Sequence, residues 1–182
     1  MQNIQKRNKL LFYKIIMLVS MAVSVAFGVD ACKPKTEETA LSFETIEKAE
    51  WGIAELNKSH EPGMVIIART DEINSLDGMA SDESIKQLEA LDYDQYFALA
   101  AFQGLKASTG YEIQANRIDR AGNTVNIYAQ LVEPPSDITV GSLVTSPYIL
   151  VKVKKTGNWG QDITFNLFSG KKLVASLSHM IP

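Results

Sequence analysis

The stretch Thr124-Val125-Asn126-Ile127-Tyr128-Ala129-Gln130-Leu131 decides the fold. Val125, Ile127, Ala129 and Leu131 alternate with Thr124, Asn126, Tyr128 and Gln130. Successive side chains of a strand point to opposite faces, so this pattern turns one apolar face toward a core and the other toward water. The same rhythm recurs on both sides. Tyr111, Ile113 and Ala115 alternate with Glu112, Gln114 and Asn116. Ile149, Val151 and Val153 face away from Lys152 and Lys154, and Ile163, Phe165 and Leu167 away from Asp162, Thr164 and Asn166. Leu173, Ala175 and Leu177 repeat it, broken only by Val174. Five alternating segments in close succession predict antiparallel sheet with one wetted face.

Two runs lack the alternation. Met64 to Ala68 and Tyr96 to Phe102 are almost continuously apolar and of strand length, which predicts strands covered on both faces. The helix signals lie between them. Thr70 reads as an N-cap followed by Asp71 and Glu72, with Ile73 and Leu76 on one face and Gly78 as a stop. Residues 82–91 set Ile85, Leu88 and Leu91 along a second apolar stripe. Asp119-Arg120-Ala121-Gly122-Asn123 reads as a hairpin loop. Glu133-Pro134-Pro135-Ser136-Asp137 must leave the ladder, because proline has no N–H to give. The predicted class is mainly β: an antiparallel sandwich or open barrel with one or two short helices.

The start of the chain has a different character. Residues 1–14 carry Lys6, Arg7, Lys9 and Lys14 with no acid, and no charge follows from Ile15 to Val29. A basic start, an apolar run and small residues before a cut site define a secretory signal, here residues 1–31. The alternative is an uncleaved anchor, since residues 10–29 approach the length of a spanning helix although Lys14 interrupts them. Residues 1–31 hold four of the 18 basic and one of the 21 acidic groups, so their removal changes the net charge from −3 to −6. An acidic remainder without a lysine or arginine block argues against nucleic acid as a partner.

Cys32 is the only cysteine and sits where this signal ends. Val29-Asp30-Ala31-Cys32 resembles a bacterial lipobox, with an aliphatic residue three places before the cysteine and a small one just before it. Asp30 departs from that pattern, which bears on the efficiency of cleavage. The resemblance implies a lipid on Cys32 and leaves the mature chain no thiol for a disulfide or for nucleophilic chemistry. The polar, proline-bearing residues that follow extend this into a tether over residues 32–40. Residues 41–182 then form one β-rich domain, a length adequate for a single core.

Chemistry is scarce in that domain. A serine triad needs a histidine within reach of nucleophile and carboxylate. Of the two histidines, His60 lies in a polar turn and His179 follows Ser178, whose side chain points to the opposite face of a strand. Asp82-Glu83, Asp92 and Asp94 lack a glycine-punctuated ligand loop, and no phosphate loop, dinucleotide fingerprint or zinc pair occurs. No catalytic residue, metal or cofactor is predicted. The loop Gly104-Leu105-Lys106-Ala107-Ser108-Thr109-Gly110 stands out, because Gly110 permits a positive φ while Ser108 and Thr109 can bond back onto the turn. An ordinary hairpin turn explains the same residues.

The series Tyr96-Phe97-Ala98-Leu99-Ala100-Ala101-Phe102, Gly104, Ser108-Thr109-Gly110-Tyr111, Pro134-Pro135 and Thr145-Ser146-Pro147-Tyr148, followed by Ile149-Leu150-Val151, resembles the PrcB C-terminal domain family. Thr109 stands where the family tends to have a glycine. The resemblance covers about residues 95–154 and implies a non-catalytic accessory lipoprotein, similar to a subunit of a secreted protease complex. The expected partner contact is Ser108, Thr109, Gly110, Tyr111, Pro147 and Tyr148, since tyrosine offers large contact area at low entropy cost. The expected site of action is the bacterial cell envelope, lipid-anchored and extracytoplasmic, at the periplasm or the cell surface. Two other functions fit the same residues: a sandwich protease inhibitor acting through the Ser108–Tyr111 loop, and a structural envelope lipoprotein without a client.

Overall fold

The segments of alternating and continuous apolar sequence assemble into two stacked sheets. The computed structural model describes residues 37–50 and 59–182. The signal residues 1–31, Cys32 and the first part of the tether lie outside the described residues. The strands are β1 (Glu38–Ala40), β2 (Phe43–Ala49), β3 (Gly63–Ile67), β4 (Tyr96–Phe102), β5 (Glu112–Ala121), β6 (Thr124–Val132), β7 (Tyr148–Lys154), β8 (Gln161–Ser169) and β9 (Lys172–Ile181). One sheet has the order β1-β5-β6-β8-β9 and the other β2-β7-β4-β3. Two separate sheets make this a sandwich rather than a barrel, and they belong to one compact unit, Thr36–Pro182.

The core lies where the alternating faces meet. Ile113, Val125, Ile127, Ile163, Phe165 and Leu167 of the five-stranded sheet pack on Phe97, Leu99, Val151 and Val153 of the other. Phe97 is the hub, with its ring 5.7 Å from Phe165 and 5.5 Å from Trp159. The continuous apolar runs have the predicted cause. The outer face of the four-stranded sheet carries Ile67, Ala98, Ala100, Phe102 and Leu150, and Ile73, Leu76, Met79 and Leu88 cover it. Along β4, bulky Phe97 and Leu99 face the sandwich interior, while Ala98 and Ala100 let the helical layer approach closely.

That layer is a 3-10 helix, Thr70–Leu76, and an α-helix, α1 (Asp82–Glu89). Thr70 is not the N-cap. Arg69 holds that position without a side-chain cap, and Glu72 Oε2 instead accepts the Ala68 N–H at 2.7 Å. Ser81 caps α1, its hydroxyl accepting from the Ser84 N–H, and Glu47 Oε2 accepts from the Ser81 N–H at 3.0 Å.

Three further features of the sheets have physical causes. β6 and β8 pair parallel, because the strand between them in sequence, β7, crosses into the other sheet and the chain returns in its earlier direction. β2 has no clean alternation, because a register shift between Thr45 and Glu47 exchanges the faces halfway along. The last three residues of the expected tether, Glu38–Ala40, form β1 and pair with Ala121, Arg120 and Asp119. No helix among the described residues is long and apolar enough to cross a membrane.

Candidate binding surface

The register of β5 and β6 defines two ends of the sandwich. At one end Ala121 faces Thr124 across the hairpin turn; at the other Glu112 faces Val132. The chain enters at the hairpin end, where Glu38 pairs with Ala121. Ten residues of β5 separate the ends, about 30 Å at the rise of a strand. The loops of interest gather at the far end.

There the segment after β4 is bonded to the loop between β6 and β7. The Gln103 N–H donates to the Pro147 carbonyl at 2.9 Å, and Lys106 and Thr145 exchange backbone hydrogen bonds of 2.8 and 2.9 Å. Thr145 Oγ1 donates to the Ser108 carbonyl at 2.8 Å. The Thr109 N–H donates to the Gly141 carbonyl at 3.0 Å, and the Gly141 N–H returns a bond to Thr109 Oγ1 at 2.9 Å. Gly110 adopts φ 90°, and a Cβ there would lie 3.0 Å from Pro134 Cβ. Only glycine fits that backbone against that proline. The Lys106 ammonium stands 5.4 Å from the centre of the Tyr111 ring. Two long loops thus become one fixed surface.

The sequence-predicted residues divide sharply. Ser108, Thr109 and Tyr111 are half-buried and Gly110 is exposed, all within this surface. Pro147 and Tyr148, expected to contact a partner, are buried and offer it little surface. Tyr148 opens β7 with its side chain turned under the helical layer, among the residues packed on Leu76 and Leu88. Burial, and after it the nearby Glu47 carboxylate, push its phenol well above the usual tyrosine range. It serves packing.

Other residues of the same loop are more exposed. Ile138, Leu143 and Val144 are 58%, 49% and 62% exposed, three large apolar side chains in one loop. Their signal was present: Ile138, Val140, Leu143 and Val144 are apolar, yet they follow Pro134-Pro135 and surround Gly141-Ser142, so they cannot form a core strand. Large apolar residues exposed on one loop make it a candidate interaction surface.

Histidine chemistry stays elsewhere. His179 Nε2 lies 3.0 Å from Glu72 Oε2, while Ser178 is exposed and pairs with Thr164 across the ladder. No cluster of three or more metal-ligating side chains occurs among the described residues.

The fold and this surface define a two-sheet sandwich that presents a pair of coupled loops at one end. Its central portion is PrcB C-terminal domain-like: the family model described as PrcB C-terminal matches residues 97–154, from β4 through β7, and so takes in both coupled loops. Neither a curated protein nor a solved structure matches the chain.

Proposed function

We propose that this protein is a non-catalytic, lipid-anchored envelope protein that holds a protein partner at the loop end of its sandwich, the partner being a secreted protease. The carrying observation is the exposed apolar group Ile138, Leu143 and Val144 on loops fixed by hydrogen bonds to Thr109 and Ser108. Apolar side chains held rigid lose little entropy on docking, which favours affinity. The likeness of residues 97–154 to the PrcB C-terminal family supports an accessory role. A lipid on Cys32 would attach the chain a few residues before β1, and the coupled loops lie at the opposite end of β5 from the Glu38–Ala121 pair.

The inhibitor reading asks the Thr109-Gly110 loop to project into a cleft. Thr109 is instead tied to Gly141, and Gly110 lies close against Pro134, which favours docking over insertion. Pull-down of cross-linked membranes tests the proposal, with recovery of a protease expected from wild type and its loss expected from Val144→Asp. Equal recovery from both would overturn the assignment of the surface. Stoichiometric inhibition of a protease panel would establish the inhibitor instead. Labelling with a palmitate analogue tests the anchor: Cys32→Ala should take no label.

A further inference from the structure

Beside the coupled loops, at the same end, the sandwich has an open mouth. Between the two sheets lies a cleft of about 330 Å³, lined among others by Glu61, Gln103, Lys106, Leu131, Leu173 and Val174. That volume falls at the lower end of ligand-sized clefts. Leu131 and Val174 pack against the main core, so they supply an apolar wall, and the charged side chains stand around it.

One lining residue carries a buried polar atom. Gln103 is 1% exposed, yet its Oε1 is buried with no hydrogen-bond partner among the described residues. The side-chain amide is oriented by its other atom, since Nε2 donates to the Val132 carbonyl at 3.4 Å. A buried carbonyl oxygen without a donor is costly and rare in folded proteins. Gln103 lines the cleft, so a donor entering there is placed to satisfy it.

The sheet beside the cleft has a step. The pairing of β6 with β8 ends at Ala129 and Ser169, so Gln130, Leu131 and Val132 have β5 on one side and, among the described residues, no strand on the other. Extended peptide is the ligand that offers amide N–H donors at strand spacing together with apolar side chains.

We infer that this cleft binds an extended peptide segment of the protein partner, with one backbone N–H donated to Gln103 Oε1 and an apolar side chain seated against Leu131 and Val174. The inference rests on the reading of this end as the partner-facing one and adds its mode of recognition. The Ile138–Val144 tip and the cleft would then engage one partner through separate elements.

Random linear peptides displayed on phage, panned against the full chain in detergent micelles, test it without the natural partner. Peptides carrying an apolar residue should be enriched and should lose binding to Leu173→Lys, an exposed position at the cleft. N-methylation at one peptide position should weaken binding to wild type about tenfold, the scale of one hydrogen bond to a buried acceptor, and leave binding to Gln103→Leu unchanged. Val144→Asp should bind these peptides as wild type does, which separates the cleft from the loop tip. Failure to enrich any peptide, indifference to Leu173→Lys, or equal N-methyl penalties in wild type and Gln103→Leu would each overturn the inference. None of those results would touch pull-down through the tip.

Discussion

Thr109 and Gly141 hold each other by two hydrogen bonds, the Thr109 N–H donating to the Gly141 carbonyl at 3.0 Å and the Gly141 N–H donating to Thr109 Oγ1 at 2.9 Å. These residues lie 32 positions apart in sequence, and their pairing converts two loops into a single surface. Thr109→Val keeps the shape and removes the side-chain acceptor. It should cost about 0.5–1.5 kcal/mol, seen as a lower urea midpoint with an unchanged slope, and hydrogen exchange at the Gly141 amide should quicken.

Gly104 is the backbone hinge of the same end. Its φ is 81°, and a Cβ would lie 2.5 Å from the His60 carbonyl oxygen, a backbone atom that cannot swing aside. Gly104→Ala should therefore destabilise by more than the roughly 1–2 kcal/mol of a left-handed backbone alone, because the segment at His60 must also move. Thermal unfolding should show it, and Gln103, the neighbouring residue lining the cleft, should lose peptide binding with it.

The opposite end is closed by Arg120. Its guanidinium stacks 3.9 Å from the centre of the Trp159 ring and donates to the carbonyls of Gly122, Thr156 and Asn158. Arg120→Lys retains the charge but loses the planar fork, and should cost about 1–2 kcal/mol. In a Trp51→Phe background, the emission of Trp159 should shift to the red as its ring becomes wetter.

Glu72 ties β9 of one sheet to the helical layer of the other through His179. Burial acts to raise its carboxyl, but the Ala68 amide, His179 and Arg69 outweigh it and hold the group below its ordinary 4.5. A carboxyl depressed in the folded state contributes stability that is present above its unfolded value and is lost as pH falls through its folded value. Wild-type urea midpoints should therefore decline as pH is lowered below 4.5, and Glu72→Gln should flatten that decline while lowering stability near neutrality. A decline of equal steepness in both proteins would remove Glu72 from the account.

Much of this fold was legible because alternation and burial are the same fact seen twice. Ile113, Val125, Ile127, Ile163 and Phe165 all lie in the core, as their spacing requires. The double coverage of Phe97–Ala101 followed from its unbroken apolar run. What escaped was set by contacts that no local pattern carries. The bulge in β2 scrambles its faces, and Glu38–Ala40 are strand only because β5 offers them an edge. At the candidate site, turn chemistry singles out the Ser108, Thr109, Gly110 and Tyr111 segment, which the structure places in the coupled loops. The burial of Tyr148 is not legible in the sequence, because a tyrosine at the mouth of a strand looks available until the helices above it are in place. Ile138, Leu143 and Val144 were overlooked because exposure of an apolar side chain is decided by what fails to cover it.

The most direct test places a photo-crosslinking amino acid at Val144 in the full chain and, separately, at Asn158 near the hairpin end. The account predicts one discrete, membrane-associated adduct from Val144 and none from Asn158. Adducts of equal yield from both positions, or none from Val144, would contradict it.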